Sequence, residues 1–170
     1  PVLSDFDLHL FAEGTHYRCW ERFGAHRTTL GQVEGVHFAV WAPNAQRVSV
    51  IGDFNRWDGR TDVMRRLIPS GVWEIFIPGL PDGAAYKYEV RTQAGHLLQK
   101  ADPYARQFEV PPNSASIIWS DGAHRWRDGD WFADRESFGG WLDRPMSIYE
   151  VHLGSWRRGA VAYYLPLLFF

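Results

Sequence analysis

The chain has 170 residues, of which 45% are hydrophobic and 22% charged, and this balance predicts one complete globular domain with extensions. The net charge is −2, and no stripe of basic residues is present to neutralise phosphates, so we expect no nucleic-acid partner. The single cysteine excludes an internal disulfide, whereas nine tryptophans favour a binding module.

The N-terminal segment, residues 1–29, is expected to be a helical docking segment. Tyr17, Trp20 and Phe23 recur at every third position, and Gly24 is suited to end a short helix. The first residues lack a basic region followed by an apolar one, so we expect no secretory signal and a cytoplasmic protein.

From about Val36 the hydrophobic period changes to two, which predicts β-strands. The alternating sets are Val36/Phe38/Val40, Val48/Val50, Trp73/Ile75/Ile77 and Tyr86/Tyr88/Val90. Turn signals separate them at Pro43-Asn44, Ser70-Gly71, Pro81-Asp82-Gly83, Ala94-Gly95 and Pro111-Pro112-Asn113. This rhythm is typical of an antiparallel β-sandwich, which we expect over residues 30–119.

The turn after the second predicted strand carries an unusual aromatic residue. Trp57 stands between Asn55, Arg56 and Asp58, residue types that favour solvated turns. An indole face beside hydrogen-bonding groups is suited to stack on a sugar ring. Two interpretations stay open on this spacing: a sugar platform, or a partly buried tryptophan that closes the sandwich edge.

Lys87 stands between Tyr86 and Tyr88 on the last of these strands. If the tyrosines pack inward, the alternation places Lys87 on the outer face. An outward lysine is most often only solvated, and the strand pattern by itself favours that interpretation.

Residues 120–145 mix charged residues with Trp126, Trp131, Phe132 and Trp141, and we expect an aromatic-rich linker there. After it, residues 146–153 resume a strand-like composition, which predicts the start of a new domain. The apolar run at residues 159–170 is too short to span a bilayer as a helix, so no membrane partner is expected.

The usual catalytic constellations are absent from the sequence. The seven histidines show no metal-binding spacing, and neither a phosphate-binding glycine loop nor a Gly-x-Ser-x-Gly elbow occurs, so we expect neither metal nor cofactor. A pair of carboxylates acting on a glycosidic bond needs a separation of about 5 Å in a retaining enzyme, which scattered turn acids rarely supply. The candidates Asp53, Asp58, Glu74, Asp82, Glu89, Asp102 and Glu150 are therefore expected to be solvated turn acids.

A set of motifs in a fixed order extends from about residue 8 to about residue 158. They are Phe38-Ala39-Val40-Trp41-Ala42-Pro43-Asn44-Ala45, Gly52-Asp53-Phe54-Asn55-Arg56-Trp57, Gly71-Val72-Trp73-Glu74, Tyr86-Lys87-Tyr88, Asp102-Pro103-Tyr104-Ala105 and Ile148-Tyr149-Glu150-Val151-His152-Leu153-Gly154-Ser155-Trp156. In these motifs the chain resembles the N-terminal part of the bacterial glycogen (1,4-α-glucan) branching enzymes.

The resemblance implies that residues 30–119 form a family 48 carbohydrate-binding module of immunoglobulin-like sandwich form. It also implies that residues 146–170 hold the first strand of a truncated (β/α)₈ catalytic barrel, followed from Gly159 by a tail that departs from the family pattern. The catalytic carboxylates of the family come from later barrel strands, so the chain alone is expected to bind and not to catalyse.

Site residues follow from the same resemblance. Trp57 and Lys87 match positions that contact glucan in related modules, and Asn55 is an adjacent candidate. The implied partners are α-1,4-glucan, as glycogen or maltooligosaccharides, and the missing barrel. Related modules carry a second tryptophan after the following turn, where this chain has Gly95-His96-Leu97-Leu98.

Two other functions remain open. The chain could be the corresponding domain of a debranching enzyme or trehalohydrolase, which shares the layout of a sandwich before a barrel. It could also be a non-enzymatic module that contacts protein through its tryptophans.

Overall fold

The structure is a computed structural model that describes residues 2–120, 127–137, 148 and 150. The chain divides into two compact units, Pro1–Gly122 and Ala123–Phe170. The elements of the first unit are α1 (Asp5–Glu13), β1 (Gly24–Leu30), β2 (Val33–Trp41), β3 (Ala45–Gly52), β4 (Arg65–Leu67), β5 (Val72–Pro78), β6 (Ala85–Thr92), β7 (Leu97–Lys100), β8 (Gln107–Phe108) and β9 (Ser116–Ile117).

Within residues 2–120 the strands form two antiparallel sheets, which confirms the prediction of a mainly β fold. Sheet A has the order β1-β2-β5-β4, and sheet B has the order β3-β6-β9-β8, with β7 also paired to β6. The turns predicted from proline, glycine and asparagine lie between these strands. The strands β1, β4, β7, β8 and β9, which show weaker alternation, were not expected from the sequence.

The core between the sheets is built from the side chains that alternate inward. Phe38 of β2 and Tyr86 of β6 are both fully buried, and their rings meet edge to face with centroids 5.1 Å apart. The other buried members of this cluster are Val36, Val40, Ala45, Val48, Val50, Met64, Trp73, Ile77, Leu80, Tyr88 and Ile118. The predicted alternation on β2, β3, β5 and β6 therefore defines the core.

A buried carboxylate ties β6 to the segment that follows β7. Asp102 is 1% exposed, and its Oδ2 accepts hydrogen bonds from the hydroxyls of Tyr86 at 2.6 Å and Tyr88 at 3.1 Å. Its Oδ1 accepts the Tyr104 N–H at 2.8 Å. Burial raises the pKa of Asp102 above its ordinary value, although these hydrogen bonds oppose the shift.

The helix of the N-terminal segment lies earlier than the sequence analysis expected. Ser4 caps α1 in a reciprocal capping box with Asp7, and Gly14 ends it at a φ of 75°. Residues 15–24 contain instead a short 3₁₀ turn, Cys19–Glu21. The expected helical N-terminal segment is thus confirmed, but Gly24 begins strand β1 and does not end a helix.

The N-terminal segment covers part of the outer face of sheet A. Leu3 and Phe23 are buried there against Ala39 and Val72, and the rings of Phe11 and Phe23 stack with centroids 4.4 Å apart. The N-terminal segment covers the outer face of β5, and the core between the sheets covers the inner face. Val72 is therefore completely buried although the side chains of β5 alternate between the two faces.

Glu74, also on the outer face of β5, anchors the start of the chain. Its Oε2 accepts the backbone N–H groups of Val2 at 3.1 Å and Leu3 at 3.2 Å and contacts Nε2 of His37 at 3.1 Å, while Oε1 accepts from Arg65. Burial acts to raise the pKa of Glu74, but the hydrogen bonds outweigh it and lower the pKa to about 2.

The second unit contains helix α2, Gly129–Ser137, within the range expected to be a linker. On it, Trp131 and Phe132 meet edge to face at 5.0 Å, and the Arg135 guanidinium lies 5.4 Å from the Trp131 ring. The expected barrel strand and apolar tail fall outside the described residues, apart from Ile148 and Glu150. No helix in the described ranges has the length and apolar character needed to cross a membrane.

The Glu74 network predicts an acid-sensitive fold. The pKa of Glu74 falls from 4.5 to about 2 on folding, so its contribution is complete above pH 4.5 and is lost as the pH falls towards 2. At neutral pH we expect Glu74→Gln to reduce the free energy of unfolding by roughly 3 kcal/mol. Urea titrations at pH 7, 4.5 and 3 measure this difference, which should narrow as the pH falls.

The matched control is Glu34→Gln, at an exposed position on the neighbouring strand β2. This variant should unfold like the wild type at each pH. A difference between wild type and Glu74→Gln that stays constant from pH 7 to 3 would contradict the assignment.

Candidate functional site

The turn after β3 has a constrained backbone. Among the described residues, Arg56 and Trp57 are the non-glycine residues with positive φ, at 56° and 60°. This left-handed conformation costs roughly 1–2 kcal/mol for a residue with a side chain. Backbone hydrogen bonds from Trp57 N to Gly52 O at 2.8 Å and from Arg56 N to Asp53 O at 3.2 Å close the turn.

Asn55 holds this turn in place with its side-chain amide. Its Oδ1 accepts the Gly52 N–H at 2.9 Å, and its Nδ2 donates to Val50 O at 2.8 Å and to the Asp62 carboxylate at 2.7 Å. Both amide hydrogens are therefore used inside the protein. The geometry gives Asn55, predicted as a sugar contact, a role in shaping the turn.

Trp57 itself is half-buried, and its indole N–H has a partner. Nε1 donates to Oδ1 of Asp53 at 2.7 Å, across one turn of chain. The indole N–H is the only polar group of the side chain, so the ring presents apolar faces and no free donor.

The loop that carries Trp57 folds over the outer face of β6. Gly59 is buried, and a Cβ at this position would lie 2.1 Å from Oε1 of Glu89. Glu89 and Lys87 are two residues apart on β6 and so share that face. The register pairs Lys87 with Ile51 and Tyr86 with Gly52, the residue where the Trp57 turn begins. The structure thus brings Trp57 and Lys87 to the same end of the β3–β6 pair.

Lys87 is partly exposed, and its Nζ donates to Oγ of Ser114 at 3.0 Å. The inward packing of Tyr86 and Tyr88 places Lys87 outward, as predicted. Leu97, in the Gly95-His96-Leu97-Leu98 stretch where the resemblance implies a second tryptophan in related modules, pairs with Arg91 and shares the face of Lys87. It is 55% exposed and lies about 13 Å along the strand direction from Lys87.

Five of the seven carboxylates considered for glycosidic chemistry are engaged in structural pairs. Glu74, Glu89 and Asp102 are buried, so the expectation that they are solvated turn acids is wrong for these three. The pairs are Asp58 with Arg60, Glu74 with His37 and Arg65, Asp82 with Arg27, Glu89 with Arg47, and Asp102 with two tyrosines. Across the described part of the chain, no group of three or more His, Cys, Asp or Glu side chains is arranged to hold a metal ion.

Three polar residues of the site were not predicted from the sequence as part of a sugar-binding site. Asp53 contacts the Trp57 ring, Asp62 contacts the Asn55 amide, and Ser114 contacts Lys87. Asp53 stands in the same motif as Trp57 and could have been found there. Asp62 and Ser114 come from later segments, and only the fold brings them to the site.

Comparison with known proteins identifies a family that the sandwich resembles. Residues 22–105 match carbohydrate-binding module 48, described as the isoamylase N-terminal domain. The chain is 56% identical over 161 residues to the 1,4-alpha-glucan branching enzyme GlgB of Paramagnetospirillum magneticum, covering 93% of this chain and 21% of that protein. It is also 56% identical over 159 residues to the GlgB of Rubrobacter xylanophilus, covering 93% and 22%. The chain thus spans about a fifth of the length of these curated relatives.

A solved structure shares the fold. The type I pullulanase from Bacillus subtilis strain 168, complexed with maltose, aligns with a TM-score of 0.51 and 25% identity, covering 62% of this chain and 14% of that one. The two antiparallel sheets of the first unit are therefore similar in fold to part of that pullulanase. Residues 22–105 match the carbohydrate-binding module 48 family, and the chain corresponds to the N-terminal part of the branching enzymes it matches.

The hydrogen bonds of Asn55 predict that it is a structural residue of the turn. Asn55→Ala removes three hydrogen bonds, and we expect a loss of about 2–3 kcal/mol in the free energy of unfolding. Urea titration measures the loss. The control Asn113→Ala removes one exposed hydrogen bond, to Glu109, and should change stability by less than about 0.5 kcal/mol. Equal unfolding midpoints for the two variants would contradict this role.

Proposed function

We propose that the chain is the N-terminal glucan-binding portion of a bacterial 1,4-α-glucan branching enzyme. The observation that carries the proposal is the identity of 51–56% to branching enzymes over almost the whole chain. The match of residues 22–105 to a carbohydrate-binding family supports the binding role. The ligand we propose is α-1,4-glucan, as glycogen or maltooligosaccharides.

The proposed binding site is the Trp57 turn with Lys87. The half-buried indole offers an apolar face on which the C–H face of a glucose ring can stack. Lys87 is a donor at the same end of the β3–β6 pair and can meet a sugar hydroxyl. The rigid backbone of the turn supports this role, because a binding group that is already ordered loses little entropy when a ligand binds.

We propose that the whole protein carries out branching with residues beyond this chain. In that reaction an α-1,4 linkage is cleaved, the chain is held covalently, and it is passed to a 6-hydroxyl to form an α-1,6 branch. The motif at residues 148–156 supports a first barrel strand there. Within residues 2–120, Asp58, Glu74, Asp82, Glu89 and Asp102 are held in structural pairs, which supports a chain that binds without catalysis.

The identities favour branching over the alternative of a debranching domain. The pullulanase likeness is 25% identical, whereas the branching enzymes exceed 50% over a longer part of the chain. If the chain is instead a protein-interaction module, replacing Trp57 should leave glycogen binding unchanged.

The binding proposal predicts a specific effect of Trp57→Ala. Loss of the stacking face should weaken maltoheptaose binding by about tenfold or more, which corresponds to ~1.4 kcal/mol. Isothermal titration and a glycogen pull-down of the 170-residue chain measure the effect. Lys87→Ala should also weaken binding, by a smaller factor, because it removes one donor and leaves the ring in place.

The control is Trp20→Ala, which removes a tryptophan that is 51% exposed and lies in the N-terminal segment. It should bind like the wild type. Equal glycogen retention by wild type and Trp57→Ala would contradict the proposed site and would favour a protein-docking role.

A second prediction concerns activity. The 170-residue chain incubated with amylose should leave the iodine colour unchanged, because we propose that the catalytic carboxylates lie beyond this chain. A full-length relative such as the enzyme of Rubrobacter xylanophilus serves as the positive control. Clear loss of colour with the chain alone would contradict the assignment of catalysis to residues outside it.

A further inference from the structure

We propose that Asp53 is a positioning residue that holds the indole of Trp57 in the orientation that binds glucan. The inference rests on the proposed function of the Trp57 site and adds a residue to it. It concerns the side chain of Trp57, whereas Asn55 determines the backbone that carries it.

The first support is the geometry of the contact. The 2.7 Å distance between Nε1 of Trp57 and Oδ1 of Asp53 is at the short end for a nitrogen–oxygen hydrogen bond, as expected when the acceptor is ionised. Because the N–H direction is fixed in the plane of the indole, an acceptor at this position defines how the ring is turned about its side-chain torsions.

The second support is that the Asp53 side chain makes few other contacts that could stabilise the fold. Its side chain is exposed, and within residues 2–120 its carboxylate makes no hydrogen bond besides the one to Trp57. The turn itself is closed by backbone hydrogen bonds to Gly52 and Asp53 and by the Asn55 amide, and none of these uses the Asp53 carboxylate. Removing that carboxylate should therefore leave the fold intact.

The third support is the environment of the ring. Trp57 is half-buried at the end of a turn, so packing alone restrains its ring less than that of a core residue. The left-handed backbone at Arg56 and Trp57 determines the position from which the Trp57 side chain leaves the main chain. The Asp53 carboxylate then determines the orientation of the indole ring. A ring released from Asp53 has to be ordered by the ligand, which weakens binding by about 2- to 10-fold.

A ligand-free experiment tests the contact directly. In ¹H–¹⁵N spectra the Trp57 indole resonance, assigned by its loss in Trp57→Phe, should move upfield in Asp53→Ala and stay near its wild-type position in Asp53→Asn, whose amide oxygen can still accept. The unfolding midpoint of Asp53→Ala should equal that of the wild type. An unmoved indole resonance in Asp53→Ala would overturn the inference.

Binding of maltoheptaose tests the consequence through a double-mutant cycle. We expect Asp53→Ala to weaken binding about 2- to 10-fold and Asp53→Asn to bind within about twofold of the wild type. In the Trp57→Phe background, which has no N–H to hold, Asp53→Ala should have no further effect. A loss that persists in that background would overturn the positioning role, because Asp53 would then be contacting the sugar itself.

The two proposals fail in different ways. If the wild type binds, Trp57→Ala weakens binding as expected and Asp53→Ala binds like the wild type, the positioning role is overturned and the glucan site stands. If the wild type does not bind maltoheptaose, the proposed function is overturned, together with the inference that rests on it.

Discussion

Two tyrosine hydroxyls that donate to one buried carboxylate fix the register of β6, and the site depends on that register. Tyr86 and Tyr88 reach Asp102 only from the inner face of the strand, so Lys87 between them points outward. A slip of one residue would bury the lysine and would leave the carboxylate without its donors, a large penalty for a group that is 1% exposed. The hydrogen bonds of Asp102 with Tyr86 and Tyr88 thus determine which residues of β6 lie on the outer face of the sheet.

The same register determines where the Trp57 turn leaves the sheet. Gly52 is paired with Tyr86, and a Cβ at Gly52 would lie 2.4 Å from the carbonyl oxygen of Ala85. A glycine at this point lets the chain run close to β6 before it enters the left-handed turn. The strain in that turn is of the same order as the contribution of the Asn55 hydrogen bonds, roughly 2–3 kcal/mol. Strained backbone that neighbouring groups hold in place is typical of binding sites.

The sequence predicted the parts of this structure that depend on local pattern. The hydrophobic period of two predicted the long strands, and the inward packing of the two tyrosines predicted that Lys87 lies on the outer face. Both predictions were possible because alternation depends only on neighbouring residues. The N-terminal helix begins at the capping box of Ser4 and Asp7 and does not include the spaced aromatics Tyr17, Trp20 and Phe23, whose spacing is a weaker signal than a cap. The role of Asn55 depends on Asp62 and on the backbone of Val50, and such partners become visible only in the folded chain.

The indole N–H of Trp57 and the side-chain amide of Asn55 are both used inside the protein, which limits what the proposed site can do. The indole N–H is held by Asp53 and the Asn55 amide by the turn, so recognition has to come mainly from the apolar ring face and from Lys87. On the proposed function, such contacts are equally strong with a glucan before and during a reaction carried out by residues beyond this chain. Binding energy of that kind lowers KM and leaves kcat unchanged, since only interactions that strengthen in the transition state accelerate the chemical step. On the proposed function, the sandwich therefore acts by raising the local concentration of glucan near a catalytic domain whose chemistry it does not alter.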